Sequence, residues 1–187
     1  MEHWIVLAVV AALVVWAIVI YNGLINLNAR VKQSFADIDV QLKQRHDLIP
    51  NLVATVKGYA THEASTLEAV IKARQGAVAA NTPGEQAAAE NMLTATLGKL
   101  FMLQEAYPNL KANENFKMLQ MEIGDIENKV AAARRFFNNT VTEYNATLQA
   151  FPSVLVARLF GFEDAEFFDV GEEKRQTLDV SPQVQFS

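Results

Sequence analysis

The sequence predicts an all-α protein in which one N-terminal transmembrane helix continues into an elongated, antiparallel, up-and-down helical bundle. Three observations support this fold class. The stretch WIVLAVVAALVVWAIVIY at residues 4–21 contains no charged residue. From Leu24 onward, apolar residues recur mostly at steps of three and four, which is the spacing of an amphipathic helix. Glycine and proline are scarce, with 8 and 5 residues in a chain of 187, and this composition favours helices throughout.

Residues 4–21 are the predicted membrane anchor. As a helix they would span about 27 Å, close to the ~30 Å hydrocarbon core of a bilayer. Trp4, Trp16 and Tyr21 are the predicted membrane-anchoring residues, with Trp4 and Tyr21 at the two ends, where interfacial aromatic residues are favoured. A cleaved signal peptide would need a basic region before the apolar stretch and a small-residue cleavage site after it. The sequence has neither feature, so we expect a retained anchor.

The charges that flank the anchor predict its orientation and the organisation of the chain. No Lys or Arg precedes the span, whereas Arg30 and Lys32 follow it closely. By the positive-inside rule, the body of the protein is therefore expected in the cytoplasm. We expect three segments: 1–23 with the single transmembrane helix, 24–168 as the helical bundle, and 169–187 as a polar, mobile tail.

The first helix of the body is predicted over residues 24–80, and it contains Pro50. A proline inside a helix removes one backbone hydrogen bond and costs about 3 kcal/mol. We expect Pro50 to mark a kink or a corner, with the carbonyl of His46 satisfied by Asn51, by Arg45 or by a residue of a neighbouring helix. Arg45 and Asp47 would fix the kink to an adjacent helix. The predicted helix-break motif, structural or partner-binding, is Arg45, Asp47, Pro50 and Asn51.

Two further long helices are predicted. Thr82, Pro83 and Glu85 form the pattern of a capping box, which predicts a helix over 85–106. The last long helix, over 113–150, has a sustained heptad pattern that predicts coiled-coil-like packing. The aromatic residues of its buried stripe are Phe116, Phe137, Tyr144 and Phe151.

The path of these helices leaves two arrangements open. Either 85–106 and 113–150 return as one kinked rod beside 24–80, or the breaks at Pro50 or Pro108 are real corners. The apolar segment 153–162, with its single Arg158, predicts a short helix. That helix either covers the end of the bundle or lies on the bilayer.

The residues with catalytic or ligand-binding potential do not form a recognisable site. The chain has no cysteine and three histidines, and neither HExxH nor Glu-x-x-His occurs. His46 is interpreted as a surface or break-capping residue, because its neighbour Asp47 points about 100° away on a helix. A net charge of −5 without a basic run disfavours nucleic-acid binding. We therefore expect no catalytic, cofactor-binding or metal-binding residue, and no cofactor.

Three stretches carry a resemblance to a known family. RHDLIPNLVATVKGYATHE (45–63), YPNLKANENFKMLQMEIGDIENKVAAARRFFNNTVTEYN (107–145) and FPSVLVARLFGFEDAEFF (151–168) resemble the LemA family of bacterial membrane proteins. One departure is Phe137, where the family usually has tyrosine. The resemblance implies a helical bundle anchored in the bacterial cytoplasmic membrane. It provides no catalytic residue to transfer, and it implies associations with membrane proteases and, for one relative, with magnetosome membranes.

Two functions follow as hypotheses. The first is a membrane-anchored structural or scaffold protein that self-assembles as a homo-oligomer through its heptad-patterned helices, with the lipid bilayer as a further partner. The second is an adaptor or regulator of a membrane protease or another envelope complex. An enzyme or small-molecule sensor is disfavoured, because it would need a pocket with titratable groups that the sequence does not offer.

Overall fold

The computed structural model describes residues 1–169, and this part of the chain is helical without any β-strand. The all-α prediction is therefore confirmed for the described residues. Of the predicted tail at 169–187, all but Asp169 lies outside them. The helices in chain order are α1 (Glu2–Lys57), α2 (Ala64–Ala79), α3 (Pro83–Ala106), α4 (Pro108–Ala112), α5 (Glu114–Gln149) and α6 (Ser153–Phe160).

The chain divides into two compact units. Among the described residues, unit 1 consists of Met1–Gln41 and Asn128–Phe167, and unit 2 consists of Leu42–Glu127 with Phe168 and Asp169. Helices α1 and α5 therefore each contribute their first part to one unit and their second part to the other.

Unit 1 contains the apolar start of α1. Within residues 1–169, α1 alone is long and apolar enough to cross a membrane, by length and composition, and none of its most apolar window is buried inside the fold. Beyond this window, Leu24, Val31 and Ile38 are buried. On α5, the buried residues of this unit include Phe137 and Tyr144. The apolar segment thus lies outside the core that the rest of unit 1 forms.

Specific contacts join α1 to α5 within unit 1. The hydroxyl groups of Ser34 and Thr140 are 2.8 Å apart in a buried hydrogen bond, and the rings of Phe35 and Phe137 lie 5.5 Å apart. Arg30 and Glu143 form a surface ion pair of 3.2 Å. The contacts thus combine apolar packing with one buried pair of hydrogen-bonded hydroxyl groups.

Unit 2 has an apolar core to which five helices contribute. Leu52 and Val56 of α1, Val70 of α2, and Leu93 and Leu97 of α3 are buried there. Leu110 of α4 and Phe116 of α5 complete it, and the Phe116 ring lies 6.1 Å from that of Phe101.

The first break of the body lies at residues 58–63, not at Pro50. Helix α1 continues through Pro50 to Lys57, so the predicted corner at Pro50 is wrong, and so is the single helix over 24–80. The turn is stabilised by Ala60, whose N–H donates to the Val56 carbonyl at 2.9 Å and whose side chain is buried. The chain turns here because the apolar stripe of α2 is buried in the same core as that of α1.

The predicted start of α3 is confirmed. Thr82 Oγ1 accepts a hydrogen bond from the Glu85 N–H at 3.2 Å, and Glu85 Oε2 accepts one from the Thr82 N–H at 3.3 Å. Pro83 occupies the first turn, where its missing N–H costs nothing. Pro108 begins the short helix α4, and Asn113 then caps α5 by accepting the Phe116 N–H at 2.8 Å.

The predicted aromatic stripe of α5 is buried at three of its four positions. Phe116, Phe137 and Tyr144 are buried, whereas the side chain of Phe151 is 81% exposed, which corrects its assignment to the stripe. Helix α5 ends at Gln149, before Phe151 is reached. Because a residue that precedes proline is disfavoured in the α-region, Phe151 leaves the helical path and the stripe.

Candidate functional site

Three ionisable side chains are buried inside unit 2. Arg45 is 2% exposed, Glu90 is 0% exposed and His46 is 8% exposed. Charged side chains are almost never buried this deeply unless they are paired, since removing an ion from water is costly. Their partners therefore decide what this cluster can do.

Both carboxylate oxygens of Glu90 are occupied. Arg45 Nη1 donates to Glu90 Oε2 at 2.7 Å, and His46 Nε2 donates to Glu90 Oε1 at 2.5 Å. Arg45 and His46 are adjacent on α1, and Glu90 lies on α3. One carboxylate thus binds two neighbouring side chains of another helix.

The second terminal nitrogen of Arg45 extends the cluster to α5. Arg45 Nη2 donates to Thr94 Oγ1 at 2.8 Å and to Glu127 Oε1 at 2.5 Å. The Glu127 side chain is 40% exposed, so the cluster runs from the interior to the surface. We define the Arg45 network as Arg45, His46, Glu90, Thr94 and Glu127, together with Arg74 of α2, which binds the His46 carbonyl.

Arg74 connects the network to Pro50. Proline has no N–H, so the helical bond from residue 50 to the carbonyl of His46 cannot form. Arg74 Nε, on α2, donates to that carbonyl at 2.8 Å. The expectation that a residue from a neighbouring helix satisfies this group is confirmed, and α1 continues through the proline.

The structure brings together only some of the residues of the predicted helix-break motif. Arg45 lies in the network and Pro50 lies one turn beyond it. Asp47 is a surface residue that pairs with Lys43 at 3.1 Å on its own helix, because its position on α1 faces away from α3. Asn51 is also exposed, and its carbonyl accepts the Thr55 hydroxyl. The expectation that Asp47 contacts an adjacent helix is therefore wrong.

Three residues of the network are not predicted by the sequence pattern. The pattern predicts His46 at the surface or at the break, yet it is buried against Glu90. It gives no role to Glu90 or Glu127. The signal for Glu90 was present, because it falls in the apolar stripe of α3 with Ala87, Leu93 and Leu97. A lone carboxylate at a core position indicates a buried cationic partner.

The contacts within the network join helices to one another. Both oxygens of Glu90 accept hydrogen bonds from side chains of α1. Among residues 1–169, no group of three His, Asp or Glu residues is placed to hold a metal ion. The geometry of the cluster is that of a structural link between α1, α2, α3 and α5.

Two tyrosines have raised pKa values, each for a local reason. The hydroxyl of Tyr107 donates to Glu63 Oε1 at 3.1 Å, and this hydrogen bond, which only the protonated hydroxyl can donate, raises the pKa of Tyr107. Burial and the negative charge of Glu63 raise it further. Burial raises the pKa of Tyr144, with a further contribution from Asp164. Both tyrosines therefore stay protonated to a higher pH than usual, which suits structural hydrogen bonding.

A second feature is an aromatic cluster in unit 1, at the end of the apolar segment. The ring of Tyr21 lies 4.8 Å from Phe160 and 5.7 Å from Phe162. Trp4 and Trp16, the other predicted anchoring residues, are exposed. An apolar groove of about 490 Å³ follows the helix beside this cluster, lined by Val14, Ala17, Ile18, Tyr21 and Phe160.

Comparison with known proteins gives one family and a small set of relatives. The magnetosome protein MamQ of Magnetospirillum gryphiswaldense is 23% identical over 190 residues, covering 88% of this chain and 70% of that protein. Magnetosome proteins MamQ 1 and MamQ 2 of Paramagnetospirillum magneticum are each 22% identical, covering 85% of this chain and 68% of theirs. The LemA family model matches residues 34–186. The chain therefore belongs to the LemA family.

Proposed function

We propose that this chain is a membrane-anchored, non-enzymatic structural protein that self-assembles as a scaffold through its helical body. In this proposal residues 1–23 form a single-pass anchor in the bacterial cytoplasmic membrane. Residues 24–168 form a cytoplasmic bundle. The relatives named as magnetosome proteins support a setting on a membrane.

Exposure of the apolar segment supports the anchor. Its large side chains, from Trp4 to Val19, are turned outward, and none of its most apolar window is buried. A soluble core helix would bury such a surface, because the exposure of apolar area to water is unfavourable. A bilayer provides the apolar environment instead.

The contacts of unit 1 support antiparallel packing in the bundle. Along α1 the contacting residues rise from Arg30 to Phe35, while their partners on α5 fall from Glu143 to Phe137. Two helices whose contacts run in opposite numerical order run in opposite directions.

The exposed methionines of unit 2 carry the proposal of self-assembly. Met92 and Met102 of α3, and Met118 and Met121 of α5, are each at least 48% exposed. Methionine is ordinarily a buried residue, and its flexible thioether adapts to irregular apolar contacts. Exposed methionines are suited to contact with another protein, and we propose a second copy of this chain as that partner.

The Arg45 network supports a non-enzymatic role. The most deeply buried ionisable groups of unit 2 hold helices together, as the two hydrogen-bonded oxygens of Glu90 illustrate.

The same exposed methionines favour one alternative, an adaptor of a membrane protease or another envelope complex, since flexible methionine side chains can also repack against varied partners.

Light crosslinking of intact membranes, followed by mass measurement of the purified complex, tests the proposal. We expect a ladder or a closed assembly of this chain alone. The variant Met92→Gln/Met102→Gln/Met121→Gln should lose it, whereas the control Lys99→Gln/Lys117→Gln, on the same two helices, should keep it. A second protein at a fixed ratio would favour the adaptor, and a bare monomer would contradict self-assembly.

Orientation is tested separately. The chain has no cysteine, so one can be introduced as Asn81→Cys, at an exposed position in the turn between α2 and α3. We expect this thiol to react with a membrane-impermeant reagent only after the cells are opened. Rapid labelling in intact cells would place the body outside the cytoplasm.

A further inference from the structure

Helix α6 exposes apolar residues that a water-facing helix would not. Val156 and Ala157 are buried in unit 1, while Leu155 is 56% exposed and Leu159 is 78% exposed. These two leucines are four positions apart, so they lie on one face of the helix. The helix therefore has two apolar faces, and only one of them is covered by the fold.

The uncovered face is close to the end of the apolar segment. Phe160, the last residue of α6, packs its ring 4.8 Å from that of Tyr21. Gly161 then ends the helix with φ of 70°, a left-handed conformation that suits glycine, and Phe162 turns back so that its ring lies 5.7 Å from Tyr21. Tyr21 is the last residue of the apolar stretch at residues 4–21.

The groove beside Tyr21 extends this apolar surface along the span. Phe160 lines it together with Ala17 and Ile18, which belong to the membrane-spanning stretch. One continuous apolar surface thus runs from the span onto α6. If the span is inserted, the level of Tyr21 is the interface between acyl chains and headgroups, where aromatic side chains are favoured.

We infer that α6 is a second membrane contact, lying in the interface with Leu155, Leu159 and Phe160 among the acyl chains. Arg158, exposed between the leucines, extends its guanidinium toward the lipid phosphates, as long basic side chains do at an interface. This inference rests on the proposed anchor. This second contact would fix the rotation of α1 and α5 about the axis of the span, which a single transmembrane helix leaves free.

The test uses the full-length chain in vesicles of phosphatidylcholine and phosphatidylglycerol. Single cysteines are introduced as Leu155→Cys or Leu159→Cys and labelled with an environment-sensitive fluorophore. The control is Phe136→Cys, an equally apolar and exposed position on α5 beside the Phe35–Phe137 contact. Phe35 follows Tyr21 by fourteen residues on continuous α1, a rise of about 21 Å away from the interface. Val10→Cys reports on the span itself.

We expect a blue shift at positions 155 and 159 and quenching when nitroxide-bearing lipids are added, with neither change at 136. Quenching at position 10 but not at 155 or 159 would overturn the inference and leave the anchor intact. No quenching at position 10 would overturn both. A blue shift at 159 without lipid quenching would also overturn it, since another copy of the chain would then cover the helix.

Discussion

The Arg74 bond to the His46 carbonyl predicts an energetic coupling between Arg74 and Pro50. In the native chain this carbonyl has lost its helical donor, and Arg74 Nε replaces it at 2.8 Å. The substitution Pro50→Ala restores an N–H at the position from which the helical bond is made. Arg74 then becomes largely redundant, so Arg74→Ala should cost much less in the Pro50→Ala background than in the native one.

The expected magnitudes follow from the geometry. Loss of a hydrogen bond from a charged donor costs about 1.5–3 kcal/mol, and the partial exposure of Arg74 favours the lower end, about 1.5 kcal/mol. With alanine at position 50, only the packing of the Arg74 stem is lost, about 0.5 kcal/mol. In the native background the hydrogen bond and the stem packing are both lost, about 2 kcal/mol, so the difference between the two backgrounds is a coupling of about 1.5 kcal/mol. Pro50→Ala alone should be neutral or stabilising, since alanine is the better helix former.

The assay is urea unfolding of the full-length chain in detergent, followed by circular dichroism for both single variants and the double variant. Lys72→Ala, an exposed position on the same helix as Arg74, is the matched control and should show no coupling with Pro50→Ala. Equal costs of Arg74→Ala in both backgrounds, within the usual additivity error of about 0.5 kcal/mol, would refute the reasoning.

Three further predictions concern single contacts. Arg45→Met should destabilise unit 2 by about 3–5 kcal/mol because it leaves Glu90 buried without its cation, whereas Arg45→Met/Glu90→Leu should recover most of the loss in the same unfolding assay. The pKa of Tyr107 is higher in the folded chain than its unfolded value of about 10, so protonated Tyr107 stabilises the fold below this pH, and the stabilisation is lost as the pH rises through the folded pKa. Glu63→Gln should therefore lower the pKa of Tyr107 that is seen by ultraviolet titration of tyrosinate. An unchanged titration would remove Glu63 as the cause. Gly161→Ala should cost about 1 kcal/mol in thermal unfolding, because its φ of 70° disfavours a side chain, and an unaltered midpoint would contradict this.

Features set by neighbours in sequence were predictable. The capping box of Thr82 and Glu85 is formed with both hydrogen bonds, as the spacing of these residues predicts. The buried positions of α5 from Phe116 to Leu148 follow their helical spacing as well. In both cases the interactions that form the structure connect residues that are close in sequence or lie on one helix face, so the sequence pattern predicts them.

Features set by distant partners were not predictable in the same way. The cost of Pro50 is visible in the sequence, but its compensation comes from Arg74, 28 positions after the carbonyl that accepts the bond. The true break, at 58–63, depends on α2 burying its stripe in the core that α1 has already begun. A rule applied to the sequence alone compares the intrinsic free-energy costs of breaking the helix at two positions. In the folded protein, tertiary contacts change these costs.

The energy of its ion pair alone does not explain why Glu90 is buried. A buried ion pair is often no more stabilising than apolar residues of the same size. The buried positions of α2 and α3, however, include the alanines Ala73, Ala77 and Ala87, which pack almost equally well after a helix slips by one turn. Such a slip would separate Glu90 from Arg45 and leave both charges buried and unpaired. The Arg45 network therefore penalises wrong registers far more than it favours the right one, and a fixed register is what the proposed self-assembly through the outer faces of the body would require.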